Sequence, residues 1–212
     1  MEISIVITCH NYARYLGRAI RSAINQSYPK KKYEILVVND ASTDETKDVM
    51  DSFIGYMRPV HLTENVGLSE ARNIGIKISI GRYVIHLDAD DYIGENILLI
   101  EKMFLENHKD WNAVSCDYDL IDDHGTVIEI INGEKHPIAC GIMFDKDNLF
   151  DIGLYNPHFK AMEEQELRRR FETKYKIGHV ALSLYRYRRH KNNLTNDKEI
   201  IQQYTKMLNS DG

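Results

Sequence analysis

The segment from residue 3 to residue 24 reads ISIVITCHNYARYLGRAIRSAI and contains the pattern on which the fold prediction rests. Its first part, Ile3–Thr8, is a short apolar run rich in β-branched residues, which is typical of a buried strand. After a polar break, apolar side chains recur every three or four positions and give a helix one apolar stripe: Tyr12, Tyr15, Leu16, Ala19, Ile20, Ala23 and Ile24. The segment therefore predicts a strand that leads into a helix.

The same order of elements repeats up to residue 91. Short apolar runs predict three more strands, and segments with helical spacing lie between them. The predicted strands are Glu34–Val38, Val60–Leu62 and Tyr83–Leu87, and the predicted helices are Glu45–Phe53 and Leu68–Ile78. Because strands that alternate with helices pair through right-handed crossovers, this order predicts a parallel sheet with helices on both faces.

Beyond Asp91 the pattern is less regular. It predicts helices at Asn96–Glu106 and Met162–Phe171, strands at Ala113–Cys116 and Gly178–Tyr187, and a hairpin turn at Asp122–Gly125 followed by an arm at Thr126–Ile131. The chain contains no repeat, low-complexity tract or flexible linker. We therefore expect the halves 1–92 and 93–212 to form a single α/β domain.

Composition excludes several classes of protein. The chain has 212 residues, of which 43% are hydrophobic, so it can bury a sizeable core. A net charge of −5 provides no global positive field for nucleic acid or anionic lipid. The three cysteines lie far apart, and neither Cys-x-x-Cys nor His-Glu-x-x-His occurs, which argues against a disulfide framework, a structural zinc site and a metalloprotease. With no apolar run of about 20 residues and no signal peptide, we expect a soluble cytoplasmic protein.

Polar residues follow the predicted strands, where open parallel sheets bind their ligands. Thr8 and His10 follow the first strand, Asp40 the second, and Asp88 and Asp90 the fourth. Each site taken alone could equally be an ordinary polar turn. Carboxylates two positions apart can both face Mg²⁺ or Mn²⁺.

Spacing alone is weak evidence for a metal site. The chain contains five carboxylate-x-carboxylate pairs, which is about the number expected by chance. The pair Asp88 and Asp90 differs from the rest because it directly follows a buried-looking strand. Together with Asp91 it places three negative charges in four residues, and these charges would repel strongly without a cation. We therefore predict a divalent-cation site here.

Neither Gly-x-Gly-x-x-Gly nor a phosphate-binding Gly-x-x-x-x-Gly-Lys-Ser/Thr loop occurs, so a nucleotide would have to be held by other groups. Asp40 is placed to accept hydrogen bonds from a base or ribose. Arg72, on the third helix, could supply a positive charge, although taken alone it is more simply interpreted as a solvated helix residue.

Five segments resemble, in order, the family 2 glycosyltransferases, which have the GT-A fold and use nucleotide-diphosphate sugars. They cover most of residues 3–91 and return in the C-terminal third: ISIVITCHNYARYLGRAIRSAINQSY, YEILVVNDASTDET, NVGLSEARNIGIKISIGRYVIHLDADD, MEEQELRRR and YRYRRHKNNLT. The resemblance implies a three-layer sandwich. Its mostly parallel nucleotide-binding sheet, flanked by helices, would occupy residues 1–92, and a smaller, irregular acceptor half with the catalytic base would occupy 93–212.

The resemblance also implies roles for residues in the first half. Thr8, His10 and Asp40 would hold the base and ribose, and Arg72 would lie near the nucleotide and diphosphate. Asp88 and Asp90 match the family's Asp-x-Asp pair. Asp90 is the better candidate for direct metal contact, and Asp88 would contact the ribose or the metal.

In the second half, Glu164 falls where the family carries its catalytic base, with Glu163 as a rival. His190, within Tyr-Arg-x-His, matches an element that can close over the diphosphate or the metal. The chain departs from the family pattern at three positions, because His10 replaces Tyr, Asn39 replaces the first Asp of a pair and Glu164 replaces Asp. The last change moves the carboxylate by on the order of 1 Å, and reactive geometry is sensitive to such shifts.

These assignments predict an inverting transferase. A cation would stabilise the departing diphosphate, while Glu164 accepts the proton of the attacking hydroxyl in a single displacement. The donor would be a nucleotide-diphosphate sugar, first a UDP-sugar by family habit, and the acceptor a glycan or a lipid-linked molecule bound around residues 136–156. A lipid-linked acceptor would give at most peripheral contact with the inner face of the membrane. Alternatively, Glu164 is a surface residue paired with Arg168.

Other functions remain open at this stage. A sugar nucleotidyltransferase would carry a glycine-rich, basic loop before Tyr28, which is absent. A glycoside hydrolase could use two carboxylates, but the acidic cluster suits a metal better. A catalytically degenerate module that only binds nucleotide sugars is a further alternative. The aromatic and basic run Leu184–Lys191 could bind nucleic acid, but the net charge disfavours that partner. The sequence does not indicate an oligomeric state.

Overall fold

The computed structural model describes residues 1–191, 193 and 196–210. Within these residues a single nine-stranded sheet is flanked by helices. The strands are β1 Ile3–Cys9, β2 Tyr33–Asn39, β3 Arg58–His61, β4 Tyr83–Asp88, β5 Tyr92–Ile93, β6 Ala113–Ile121, β7 Val127–Ile131, β8 Ile142–Asp145 and β9 Ile177–Arg188. The helices are α1 Ala13–Ile24, α2 Thr46–Asp51, α3 Leu68–Ile78, α4 Ile97–Asn107, α5 Lys146–Asp151, α6 Glu163–Glu172 and α7 Lys198–Ser210.

The strand order is β3-β2-β1-β4-β8-β6-β9-β5, with β7 paired to β6. The first four strands in this order are parallel to one another, as predicted from the alternation of strands and helices. The second half extends the sheet with mixed directions, because β8 runs antiparallel to both β4 and β6, while β9 runs parallel to β6. The α/β fold with a parallel first half is confirmed.

Two apolar cores lie on opposite faces of the sheet. Ile5 of β1 packs in one cluster with Leu16 of α1, and Val6 packs in the other with Ile76 of α3 and Phe171 of α6. Neighbouring strand residues point to opposite faces, so a strand that is covered on both sides appears as a continuous apolar run. The layers are therefore helix, sheet and helix.

Helix α3 lies unusually close to the sheet. A Cβ atom added at Gly75 would lie 2.3 Å from Cγ1 of Val6 in β1, which is too close for a real contact. Only glycine allows this approach. One turn before it, Arg72 is thereby brought down toward the end of β4.

Several elements of the second half were not predicted. Strand β6 continues to Ile121 rather than ending at Cys116, and β5, β8, α5 and α7 had no prediction. Strands β5 and β8 are two and four residues long, and they form by pairing with distant strands. Such short segments carry too little periodicity to be recognised. In the described part of the chain, no helix is long and apolar enough to cross a membrane.

Candidate active site

A cleft of about 630 Å³ lies at the carboxyl ends of β1, β2 and β4 and continues to the start of α6. This is the position at which open α/β sheets bind ligands. All of the predicted site residues except His190 line it: Thr8, His10, Asp40, Arg72, Asp88, Asp90, Glu163 and Glu164. His190 adjoins the cleft, because its Nε2 lies 2.8 Å from Oδ2 of Asp90. The two halves of the chain thus meet at one cavity.

The acidic cluster divides into two parts. The side chains of Asp88 and Asp90 are 28% and 15% exposed and line the cleft. Asp91 also borders the cleft but is only 2% exposed, and its carboxylate accepts hydrogen bonds from the Tyr185 hydroxyl at 2.7 Å and from the backbone N–H of Arg188 at 2.7 Å. Burial, followed by the charges of Asp90 and Asp88, raises the pKa of Asp91 well above its ordinary value.

The three carboxylates therefore do not depend on a cation alone to offset their repulsion. Each acid has a partner from the chain itself: Arg72 for Asp88, His190 for Asp90, and Tyr185 with a backbone N–H for Asp91. Repulsion among the acids is present, since the charges of Asp90 and Asp88 add to burial in raising the pKa of Asp91, but these partners, which sequence spacing does not reveal, offset it.

Asp88 and Asp90 suit a metal ion that is bound partly by the protein and partly by the substrate, rather than one bound by protein side chains alone. Among the described residues, no group of three or more His, Cys, Asp or Glu side chains could hold a metal. Mg²⁺ typically binds through one or two carboxylates plus substrate phosphates. Asp88 and Asp90 supply hard oxygen atoms of that kind at the cleft, so they fit a cation that also contacts a diphosphate.

Arg72 is 1% exposed, so its interpretation as a solvated helix charge is wrong. Its Nη1 donates to Oε1 of Glu163 at 2.6 Å and its Nη2 to Oδ1 of Asp88 at 2.9 Å. The Tyr155 ring lies 5.4 Å away, and Nε has no hydrogen-bond partner in the described part of the protein. A buried arginine that joins two carboxylates fixes both of them, and removal of one partner would leave an uncompensated charge.

Glu163 and Glu164 are adjacent but lie in different environments. Glu163 is 4% exposed and is held by Arg72. Burial, followed by the charge of Glu163, raises the pKa of Glu164 to about 7. The alternative pairing of Glu164 with Arg168 is wrong, because Nε of Arg168 instead donates to Glu172 at 3.0 Å. Of the two glutamates, Glu164 is the better placed to exchange a proton near neutral pH.

Met162 directs the chain into α6. Its φ is 59°, in the left-handed region that non-glycine residues rarely adopt. The Thr205 hydroxyl of α7 donates to its sulfur at 3.1 Å. Strained backbone at the edge of a site is common where geometry must be fixed. This turn places Glu163 and Glu164 in the first helical turn, at the cleft.

Two of the three residues expected to hold the base and ribose, Asp40 and His10, are already hydrogen-bonded within the protein. Both carboxylate oxygens of Asp40 accept backbone N–H groups, from Val66 at 2.7 Å and from Gly67 at 2.9 Å. The exposed His10 donates from Nδ1 to the Asp40 carbonyl at 2.6 Å. Thr8 is 7% exposed. Asp40 therefore fixes the loop that begins α3, and a base contact would use its remaining lone pairs.

Sequence reasoning missed several cleft residues. Some lie within regions that sequence reasoning indicated without naming the residues themselves: Pro137, Ile138, Ala139 and Cys140 in the expected acceptor region 136–156, and Asn65, Tyr187 and Asn193 in segments that resemble the family. Lys160 and Ile201 had no prediction. No periodic or motif signal marks Lys160 or Ile201. In the run from Leu184 to Lys191, Arg186 pairs with Asp119 at 2.8 Å and Arg188 is 2% exposed, so these two residues do not form a basic surface.

The chain was compared with curated proteins. It is 38% identical over 103 residues to the poly(ribitol-phosphate) beta-glucosyltransferase of Bacillus spizizenii, a match that covers 47% of this chain and 16% of that protein. It is 29% identical over 114 residues to the poly(ribitol-phosphate) beta-N-acetylglucosaminyltransferase TarS of Staphylococcus aureus, covering 51% of this chain and 19% of TarS. The matched region is thus less than a fifth of either relative.

Solved structures share the fold. The complex of S. aureus TarS 1–349 with UDP-GlcNAc superposes with a TM-score of 0.82 at 18% identity, over 96% of this chain and 65% of that one. The mannosyltransferase PcManGT of Pyrobaculum calidifontis, in complex with GDP-Man and Mn²⁺, gives 0.77 at 18% identity, over 95% and 61%. The profile of Glycosyl transferase family 2 matches residues 4–198. With this match across nearly the whole chain, and with GT-A glycosyltransferases among its structural neighbours, the chain belongs to glycosyltransferase family 2.

Proposed function

We propose that the chain is a metal-dependent, inverting glycosyltransferase that moves a sugar from a nucleotide-diphosphate donor to a hydroxyl group of a glycan or lipid-linked acceptor. One observation carries the proposal. The cleft contains both a pair of carboxylates suited to a cation and diphosphate, Asp88 and Asp90, and a carboxylate with a pKa of about 7, Glu164. Family membership supports the same chemistry.

In the proposed step, the acceptor oxygen attacks the anomeric carbon from the face opposite the diphosphate. The bond from that carbon to the diphosphate oxygen breaks, and the nucleoside diphosphate leaves with the electron pair. Glu164 accepts the hydroxyl proton, a contribution that is typically about 10² to 10⁴ in rate. One displacement of this kind inverts the anomeric configuration.

The surrounding residues hold this arrangement in place. Arg72 orients Asp88 and neutralises Glu163, which leaves Glu164 as the carboxylate that can accept a proton. When bound by Asp90 and Asp88, Mn²⁺ or Mg²⁺ would stabilise negative charge on the diphosphate as a Lewis acid. His190 lies beside Asp90, where it could close over the metal or the diphosphate.

The comparisons suggest substrates to test first. The structural neighbours were solved with UDP-GlcNAc and with GDP-Man, so UDP-sugars come first and GDP-sugars second. The relatives' names make poly(ribitol phosphate) the first acceptor to test. A lipid-linked acceptor would bring the protein to the cytoplasmic face of a membrane.

A thermal-shift panel of nucleoside diphosphates, with and without Mn²⁺, tests the proposal. A ligand that binds only the folded state at 100 times its Kd stabilises it by about 2.7 kcal/mol. We expect UDP with Mn²⁺ to raise Tm more than UDP alone, and a UDP-sugar with acceptor to give an inverted product. A panel in which no nucleoside diphosphate changes Tm with either metal would refute the donor assignment. Strong metal-dependent binding without turnover would instead favour the degenerate binding module.

A further inference from the structure

The His190 ring is packed between an acid and an aromatic side chain. The side chain is 5% exposed, and its Nε2 lies 2.8 Å from Oδ2 of Asp90. The Tyr15 ring of α1 stacks on the imidazole, with centroids 5.1 Å apart and planes 20° apart. The Tyr12 ring contacts it at 5.6 Å with an interplanar angle of 60°. The imidazole orientation is therefore set by α1 as well as by Asp90.

Tyr15 is itself fixed by the turn between β6 and β7. Its hydroxyl donates to Oδ1 of Asp123 at 2.5 Å. The other oxygen of Asp123 accepts from Nη2 of Arg14 at 2.9 Å. A hydrogen bond at the far end of the ring anchors the position of that ring, so the Asp123 carboxylate helps to place Tyr15 against the imidazole.

Arg188 joins the same turn to the backbone of Asp90. Its side chain is buried, and Nη1 donates to the carbonyl oxygens of Asp122 and Asp123 at 3.0 and 2.9 Å. Its Nε donates to the carbonyl oxygen of Asp90 at 2.7 Å. Two connections thus run from the β6–β7 turn to Asp90. One reaches its backbone through Arg188, and the other reaches its carboxylate through Tyr15 and His190.

We propose that Tyr15 and Asp123 are positioning residues that hold the His190 ring against Asp90 and thereby set the direction of the Asp90 carboxylate in the cleft. Neither residue lines the cleft, so each acts through its neighbours: chiefly His190, on which the Tyr15 ring stacks, and also Arg188, whose guanidinium lies 5.2 Å from the centroid of that ring. The consequence for ligand binding rests on the proposed function, whereas the control of the His190 ring does not.

Two substitutions separate the contributions of Tyr15. Tyr15→Phe keeps the stacked ring and removes the hydroxyl bond to Asp123, whereas Tyr15→Leu removes both and retains a residue with good helix propensity. Tyr28→Phe is the matched control, because the Tyr28 hydroxyl donates to the Glu2 carboxylate and neither residue lines the cleft.

The first readout needs no ligand. Long-range ¹H–¹⁵N NMR spectra report the imidazole nitrogens of His190, which the variant His190→Gln assigns by loss of signal. We expect Tyr15→Leu to shift or broaden the His190 signals strongly, Tyr15→Phe to shift them less, and Tyr28→Phe to leave them in place. Unchanged His190 signals in Tyr15→Leu would overturn the proposal.

The second readout is the affinity for UDP in the presence of Mn²⁺, measured by calorimetry. We expect Tyr15→Leu to weaken binding by about 3- to 10-fold, the size expected when an aromatic contact is lost, with Tyr15→Phe between it and the unmodified chain. Tyr28→Phe should bind UDP normally. Normal affinity in Tyr15→Leu, or an equal loss in Tyr28→Phe, would contradict the positioning role. If the unmodified chain binds no UDP with Mn²⁺, the proposed function fails, and the NMR result alone decides this proposal.

Discussion

The two halves of the molecule are built in different ways. In the first half, each of the strands β1, β2 and β3 is followed by a helix, and every strand pairing within this half is parallel: β1 with β2, β2 with β3, and β1 with the more distant β4. In the second half the strand directions are mixed: β6 pairs antiparallel with β7 and β8, and parallel with the distant β9, where Ala113 lies opposite Ile177. The acid pair belongs to the first half and Glu164 to the second. The cleft therefore requires both halves to be complete.

The largest effect is expected from the first half. Asp90→Ala removes a carboxylate proposed to hold the cation, so we expect the Mn²⁺-dependent part of the UDP thermal shift to vanish and transfer to fall on the order of 10³-fold. The exposed Asp147, which belongs to another carboxylate-x-carboxylate pair outside the cleft, provides the control variant Asp147→Ala. A shift that is equal in Asp90→Ala and in the unmodified chain would show that the acid pair is not the metal site.

The second half should contribute to chemistry without contributing to nucleotide binding. Glu164→Gln keeps the shape of the side chain and removes the base, so we expect kcat to fall by about 10² to 10⁴ while UDP affinity stays unchanged. Glu163→Gln is the contrasting variant, because it breaks the buried ion pair with Arg72 and should reduce Tm more than Glu164→Gln does. Full activity in Glu164→Gln would move the base to Glu163.

The pH dependence of kcat tests whether Glu164 is the base. Glu164 must be deprotonated to accept a proton, and its pKa is raised to about 7. We expect kcat to rise about tenfold per pH unit below pH 7 and to become constant above it. A steady-state profile from pH 5 to pH 9 measures this. The rise should be absent from the residual activity of Glu164→Gln, and its persistence there would assign the titration to another group.

The smallest effect concerns Glu101 of α4, which is fully buried. Neither of its carboxylate oxygens has a hydrogen-bond partner among the described residues, and burial raises its pKa well above the ordinary value. A raised folded-state pKa gives stability that is complete below the unfolded pKa and is lost as pH rises through the folded one. Between pH 5 and pH 8 the Tm of the unmodified chain should therefore fall by a few degrees more than that of Glu101→Gln. Parallel Tm curves for the two proteins would exclude this cause.

The first half was largely predictable because its signals are local. Strand β1 and helices α1 and α3 appear where the apolar spacing indicates, and the acid pair follows β4 as expected. Apolar periodicity and the position of polar residues at strand ends can both be recognised within a few consecutive residues, so a single sequence is enough to predict them. These local signals therefore place Asp88 and Asp90 at the edge of the sheet where the cleft lies.

The remaining features depend on contacts between residues far apart in the chain. The partners of Arg72 include Glu163, which lies 91 positions away, and the partners of the Asp91 carboxylate are Tyr185 and Arg188 in β9. No local pattern marks such pairings, and a charged residue on a helix is ordinarily solvated. The partners of Arg72 and of Asp91 thus became visible only in the folded chain.

The glycine at position 75 lets α3 pack directly against Val6 of β1. A methyl group at position 75 would clash with Val6, and a shift of α3 away from β1 to relieve that clash would draw the Arg72 guanidinium away from Asp88. The position of the Arg72 guanidinium therefore depends on Gly75, a residue one turn away that has no side chain. A search for functional positions that considered only ionisable residues would miss Gly75, although Gly75 allows Arg72 to reach Asp88.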